Sequence, residues 1–259
     1  MASAAGLAHR GLHARGATIL HFSVHSRDLG RTLEQTAVEP RGGGRRPLLV
    51  LLHWRGGSPD RLLSNQLFAA LAHLGSRAPA VVMANGSGGS FFHDRRSGRW
   101  ASYVVDEVIP AAVRRLRADP SRIAIGGTSM GGFGALDIAR LHPGRFCAVG
   151  AHSPAIFTSA RGAMPGAFDG SADFARHDLH GLALSTPRLY GSTPVWIDVG
   201  TRDRFRGADE ATAAALHSGG AHLSEHVWPG EHGSAYWRAH MADYLRFYAD
   251  ELARCRPGR

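Results

Sequence analysis

The stretch Arg122 to Leu141, RIAIGGTSMGGFGALDIARL, constrains this chain more than any other. An apolar run of strand type, Ile123-Ala124-Ile125, gives way to glycine. Ser129 then stands at the centre of Gly127-Thr128-Ser129-Met130-Gly131, and Phe133 to Leu141 is compatible with a helix. The pattern reads strand, sharp turn, helix. A serine on such a turn takes strained backbone angles, and its flanking glycines are needed because a Cβ there would meet the neighbouring strand or helix. The turn lifts the hydroxyl above the sheet, where a base and a substrate carbonyl both reach it. In a chain with 33 glycines the pentapeptide alone says little; its place between a strand and a helix says much more.

The rest of the chain supplies the sheet that such a turn needs. Residues 17–38 alternate in strand fashion around the polar Ser26 to Gly30, which predicts an antiparallel hairpin at the sheet edge. Pro47 to Leu52 and Ala80 to Ala84 are continuous apolar runs, as expected of strands covered on both faces. Between them Ser58-Pro59-Asp60 predicts a helix start, followed by periodic Leu62, Leu63, Leu67, Phe68 and Leu71. Trp100 to Leu116 reads as a helix kinked or broken at Pro110. Strands follow at Phe146 to Ala151, Val195 to Val199 and Leu223 to Trp228, and a last helix at Ala235 to Ala253. Repeated βα units imply an α/β class with a mainly parallel sheet, helices on both faces, and ligands beyond the carboxyl ends of the strands. At 259 residues a single domain over 1–259 is expected, with 1–16 flexible and the Gly, Pro and Ser-rich 153–193 forming a cap or loop over the site.

A serine needs a base. His232, in Trp228-Pro229-Gly230-Glu231-His232-Gly233-Ser234, follows the last strand and precedes the last helix, where a base is required. His226 and His240 are alternatives, but one alternates within the strand and the other lies in the helix. An acid to orient the base belongs after a strand between serine and histidine. Val195-Trp196-Ile197-Asp198-Val199-Gly200-Thr201-Arg202-Asp203 offers Asp198 inside the strand and Asp203 past its end; Asp203 fits, unless it is a loop carboxylate paired with Arg202 or Arg204. The oxyanion hole requires two backbone donors. Met130, directly after the serine, supplies one, and the loop His53-Trp54-Arg55-Gly56-Gly57 is expected to supply the other. No His-Glu-x-x-His or paired Cys/His spacing is present, so neither a metal nor another cofactor is expected.

Composition narrows the partners. With 44% hydrophobic and 20% charged residues, the chain is of ordinary soluble globular type. Its net charge is +9 and every basic residue other than histidine is arginine, yet the arginines are spread in runs no longer than two, which argues against a nucleic-acid partner. No apolar run is long enough for a bilayer, and MASAAGLAHRGLHARG lacks the apolar core of a secretory signal, so no membrane partner and a cytoplasmic setting are expected. Cys147 lies in an apolar run and Cys255 in the polar tail; a structural disulfide is not expected, which suits a reducing compartment.

The segments Leu51-Leu52-His53, Gly127 to Leu136, Asp198 to Asp203, and His232 followed by Tyr236-Trp237 together resemble the putative esterase family of α/β-hydrolases, the group related to esterase D and the mycobacterial antigen 85 acyltransferases. The resemblance runs from about residue 17 to the end. It implies an α/β-hydrolase fold, Ser129 as nucleophile, Asp203 as acid, His232 as base, and amides of Met130 and Arg55 as the oxyanion hole. Trp54 departs from the glycine usual in such families after the histidine, and a bulky side chain there is expected to narrow the acyl side of the pocket or shift the loop amide. The implied activity is cleavage of small-molecule carboxylic esters through an acyl-enzyme; transfer of the acyl group to an alcohol or sugar uses the same residues, and a catalytically idle ligand-binding relative is the third reading. Beside Trp54, the residues Phe91, Phe92, His93, Asp94 and Trp100 are expected either to line the pocket or to anchor the loop after a central strand.

Overall fold

The computed structural model describes residues 11–14, 16–42 and 44–255. Of the leader 1–16 expected to be flexible, 1–10 and 15 lie outside the described residues. Residues 11–14 are docked: the His13 amide donates to Asn65 Oδ1, Asn65 donates back to the Gly11 carbonyl, and Leu12 and Ala14 pack on the core.

Among the described residues ten strands occur in chain order: β1 Ala17–Ser26, β2 Arg31–Pro40, β3 Pro47–Leu52, β4 Ala80–Ala84, the two-residue β5 Asp94–Arg95 and β6 Gly98–Arg99, β7 Asp119–Thr128, β8 Ala148–His152, β9 Val195–Gly200 and β10 Leu223–Trp228. Eight of them form one sheet in the order β1-β2-β4-β3-β7-β8-β9-β10. The β1–β2 and β2–β4 pairs are antiparallel and every other pair in this sheet is parallel, so the expected edge hairpin and parallel body are both present. β5 and β6 make a separate small hairpin.

The central strands are buried on both faces, which is why they read as unbroken apolar runs. Successive residues of β3 feed different cores: Leu48, Val50 and Leu52 join Phe133, Leu136 and Val108 on one face, while Leu49 and Leu51 join Phe68, Leu71 and Leu245 on the other. The edge strand β10 has no fully buried residue, in keeping with its mixed sequence LSEHVW.

Helix boundaries depart from expectation where side chains have other partners. The helix expected from Ser58 opens later. Pro59–Leu62 is one 3-10 turn, Leu63 is extended, and the α-helix is Asn65–Leu74, capped by Ser64, whose Oγ accepts from the Leu67 amide at 3.1 Å. Asp60, in the first turn of that 3-10 segment, accepts from Thr36 and meets His21 at 3.0 Å. Pro110 does not break its helix. Trp100–Ser102, a π-helical Tyr103–Val108 and Ile109–Leu116 run on continuously, the Ile109 amide reaching back to the Val104 carbonyl ahead of the proline. The last helix is two, Ser234–Ala239 and Met241–Arg254, separated at His240, whose ring stacks on Trp228 at 4.0 Å.

The expectation for the cysteines is corrected. Cys147 and Cys255 form a disulfide, with their Cα atoms 5.6 Å apart. Cys147 precedes β8 at the amino ends of the strands, and the helix Met241–Arg254, packed on the sheet, delivers Cys255 to the same place. Two cysteines are too few for a framework, but packing one long helix suffices to join them.

Candidate active site

Ser129 occupies the turn between β7 and the helix Met130–Leu141 with φ 55° and ψ −116°, a conformation that non-glycine residues hold only under constraint from their surroundings. The constraint is close packing. A Cβ on Gly131 would lie 2.1 Å from the Leu52 carbonyl oxygen of β3, and one on Gly127 would lie 2.5 Å from the Gly131 backbone. Only glycine lets strand, turn and helix approach this closely. The Ser129 amide donates to the His152 carbonyl at the tip of β8 (3.0 Å), fixing the turn to the next strand.

His232 Nε2 lies 2.8 Å from Ser129 Oγ, and His232 Nδ1 lies 2.8 Å from Asp203 Oδ2. Asp203 follows β9 and its other oxygen accepts from the Phe205 amide at 2.8 Å. Burial works to raise the Asp203 carboxyl, but the hydrogen bonds from His232 and the Phe205 amide outweigh it and hold the group below its ordinary value. A carboxylate so placed makes Nδ1 the donor and leaves Nε2 to accept the serine proton. The imidazole is held edge-on between Phe205 (5.0 Å) and Trp237 (5.4 Å). Asp203 is not paired with the neighbouring arginines: Arg202 meets Glu231 at 3.2 Å and the Arg204 guanidinium lies over the Phe205 ring at 4.9 Å.

The alternatives lie elsewhere. His226 is stacked between Trp196 (4.1 Å) and Trp228 (4.8 Å) at the sheet edge. Asp198 is fully buried, accepting from His152 Nδ1 (2.7 Å), Trp196 Nε1 (2.7 Å) and Tyr244 Oη (2.8 Å). Sequence reading missed this cluster, although a carboxylate inside a buried strand signals that donors must surround it.

Met130 is the first residue of its helix, so its amide is among those a helix leaves without an internal partner. On the other side, His53 is fully buried. It accepts at Nε2 from the Gly86 amide (3.0 Å), so Nδ1 carries the proton and donates to the Trp54 carbonyl (2.8 Å). Burial lowers its pKa from 6.5 to about 4 against the opposing pull of the Trp54 carbonyl, keeping the ring neutral. The Trp54 carbonyl also accepts from the Gly57 amide (2.9 Å), and because a trans peptide points its C=O and N–H in opposite directions, these bonds fix the direction of the Arg55 amide.

Ser129, His232, Trp54, Arg55 and Phe91 line a cleft of roughly 630 Å³, joined by Trp237, Met164 and Arg204 among others. Trp54 lies against Trp237 with ring centroids 5.3 Å apart. Ala155 and Met164 of residues 153–193 are among the cleft's lining residues. Four of the expected pocket residues anchor the loop instead of lining the cleft. Phe91 and Phe92 both have φ 54°, and this pair of left-handed residues turns the chain inward. Phe92 is buried with its ring edge on His53 (5.5 Å). Asp94 accepts from the Ser102 amide (3.0 Å), and Trp100 is buried beneath the Arg31 guanidinium (4.9 Å). His93 is buried against Asp173 (3.1 Å).

Among the described residues, His93, Asp173 and His177 each place a potential metal-ligand atom within 4.8 Å of the others. Most of their polar atoms serve one another and neighbouring residues, although the buried His93 Nδ1 has no hydrogen-bond partner among the described residues. His177 Nδ1 meets Asp137 Oδ2 at 2.8 Å, and Asp173 accepts from the Asp169 amide (2.8 Å) and from Arg176 (2.9 Å) as well as from His93. The cluster ties the helix Ser171–Arg176, within residues 153–193, to the helix Met130–Leu141.

The profile of a family described as "Putative esterase" matches residues 79–248. An S-formylglutathione hydrolase of Paracoccus denitrificans (strain Pd 1222) is 29% identical over 186 residues, 64% of this chain and 64% of that protein, so the match spans under two thirds of the relative's length. Among solved structures, a ferulic acid esterase superposes with a TM-score of 0.80 at 19% identity, covering 91% of this chain and 98% of the other. An S-formylglutathione hydrolase from Agrobacterium tumefaciens gives 0.75 at 21% identity, covering 92% and 96%. At these identities the superpositions establish the α/β-hydrolase fold.

Proposed function

Because the chain belongs to the Putative esterase family of α/β-hydrolases, we propose that it hydrolyses carboxylic esters of small molecules through an acyl-enzyme on Ser129. The observation that carries this reading is the line Ser129 Oγ to His232 Nε2 to Asp203, with 2.8 Å at each step. Neutral His232 accepts the Ser129 proton as Oγ attacks the ester carbonyl. The amides of Met130 and Arg55 stabilise the oxyanion, and Asp203 stabilises the imidazolium that forms. His232 then passes the proton to the departing alcohol. In the second half, water gives its proton to His232, attacks the acyl group and releases the acid, restoring the Ser129 hydroxyl.

A fluorophosphonate probe and a 4-nitrophenyl acetate assay test the reading together. Wild type labels once and turns over the ester; Ser129→Ala does neither while keeping its melting temperature within a few degrees. Labelling that persists in Ser129→Ala removes the nucleophile from its role. Among the described residues no helix is long and apolar enough to cross a membrane. A disulfide is characteristic of an oxidising compartment, so Cys147–Cys255 removes one ground for a cytoplasmic setting.

A further inference from the structure

The charge around the cleft is one-sided. Three of its fourteen lining residues are arginines, Arg55, Arg61 and Arg204, and none is an aspartate or glutamate. Elsewhere, among the described residues, some arginines are matched, as in Arg77–Asp250 (2.7 Å), Arg99–Asp28 (3.0 Å) and Arg246–Asp243 (3.1 Å), and others are not; what sets the cleft apart is that its arginines converge with no carboxylate in the lining. Among the described residues no ion pair includes any of the three cleft arginines. The nearest carboxylates in sequence are turned away: Asp60, beside Arg61, is held by Thr36 and His21, and Asp203, beside Arg204, is held by His232 and the Phe205 amide. Neighbouring protein groups place two of the guanidiniums. Arg55 donates to the Pro165 carbonyl (3.3 Å) and Arg204 lies over the Phe205 ring. Cations of one sign beside apolar walls such as Trp54 and Trp237 focus a positive potential into the cleft.

Their position relative to His232 indicates which half of the substrate meets this field. Arg204 rests on Phe205, which touches the imidazole from one side, and Arg55 follows Trp54, whose ring lies on Trp237, which touches the imidazole from the other. His232 delivers its proton to the leaving alcohol, so that half departs past the histidine. We propose that the cleft selects esters whose alcohol half carries an anionic group, bound by Arg61 and Arg204 with Arg55 beside them. The inference rests on the hydrolytic reading of the same site and names its substrate class.

Two matched pairs of esters test it. In 3-(4-acetoxyphenyl)propanoate and the corresponding propanamide, only the charge on the leaving half differs; in 4-nitrophenyl adipate monoester and 4-nitrophenyl adipamate, only the charge on the acyl half differs. The expected result is a kcat/KM about tenfold higher for the propanoate than for the propanamide at about 0.02 M salt, shrinking to about threefold or less at about 0.5 M. In Arg61→Gln/Arg204→Gln the ratio falls toward one; taking a ratio cancels any general loss of activity. A ratio near one in wild type, a preference confined to the adipate pair, or a ratio unmoved by the double substitution overturns the inference while leaving the hydrolytic reading in place. No turnover of all four esters overturns that reading, and this inference with it.

Discussion

The Nδ1–H of His53 donates to the carbonyl of Trp54 over 2.8 Å, although the two residues are adjacent in sequence and only one of them faces the cleft. Together with the Gly57 amide (2.9 Å) the bond fixes the Trp54 carbonyl and hence the plane of the Trp54–Arg55 peptide, making His53 a positioning residue for the proposed oxyanion hole. Losing it lowers kcat by up to about 10²-fold, the scale of one misplaced oxyanion donor. Steady-state kinetics of His53→Gln check this, since a purely structural role leaves kcat per folded molecule unchanged.

The same ring makes stability depend on pH. Its folded pKa of about 4 lies below the ordinary 6.5, so between these values the unfolded chain takes up a proton that the folded protein refuses. Stability therefore falls as pH drops from 6.5 to about 4, by about 3 kcal/mol from this group, and falls no further on its account below that. Urea denaturation across the window checks the effect. In His53→Gln the slope is shallower by one proton, and an unchanged slope contradicts it.

Asp203 and Asp198 separate catalysis from structure. Asp203→Asn lowers kcat by about 10³ to 10⁴, because an amide at this place no longer enforces the proton on His232 Nδ1. Asp198→Asn places an amide among the donors His152, Trp196 and Tyr244, so it lowers the melting temperature while kcat per folded molecule stays within about tenfold. Paired kinetics and thermal melts decide the matter; the reverse order of kinetic losses makes Asp198 the working acid.

How much could be read in advance depends on how locally each feature is determined. The Ser129 turn was legible because its glycine requirement lies within five residues, and the places of Asp203 and His232 were legible because strand order fixes which loops meet above the sheet. The loop after β4 was not. Phe91 and Phe92 take left-handed angles that aromatic sequence does not signal, so four residues expected as possible cleft lining went to the interior or to neighbouring loops. Arg61 and Arg204 were not singled out for the cleft either, since a chain with 30 basic residues gives no local cue to which of them converge. The disulfide was illegible for a similar reason: its cysteines are 108 residues apart and meet only once the last helix has packed.

That disulfide gives a prediction on stability alone. Closing a loop of this length stabilises by roughly 4 to 5 kcal/mol in the chain-entropy limit, or about 10 °C in melting temperature for a chain of this size. It joins the amino ends of the strands, whereas Ser129 follows the carboxyl end of β7. Cys147→Ser/Cys255→Ser therefore melts lower while its kcat at 25 °C is unchanged. Two titratable thiols in the native, unreduced protein contradict the bond itself.

His232 is the residue through which the whole proposal acts. Its Nε2 accepts the Ser129 proton only when the ring is neutral, so protonating that nitrogen stops the attack and kcat/KM has an acid limb. Asp203, its carboxyl held below the ordinary value, stays ionised along that limb, so the acid limb belongs to the histidine and its slope corresponds to one proton. Replacing His232 by Ala lowers kcat by roughly 10⁴ to 10⁶ and abolishes the limb, because no neighbouring group takes over the proton. His226→Ala and His240→Ala keep the limb, since both rings stack on Trp228 away from the serine. The profiles of the three variants, each taken with circular dichroism at the lowest pH, separate titration of the base from acid unfolding. Near-normal turnover with an unchanged acid limb in His232→Ala identifies another base and dissolves the proposed triad.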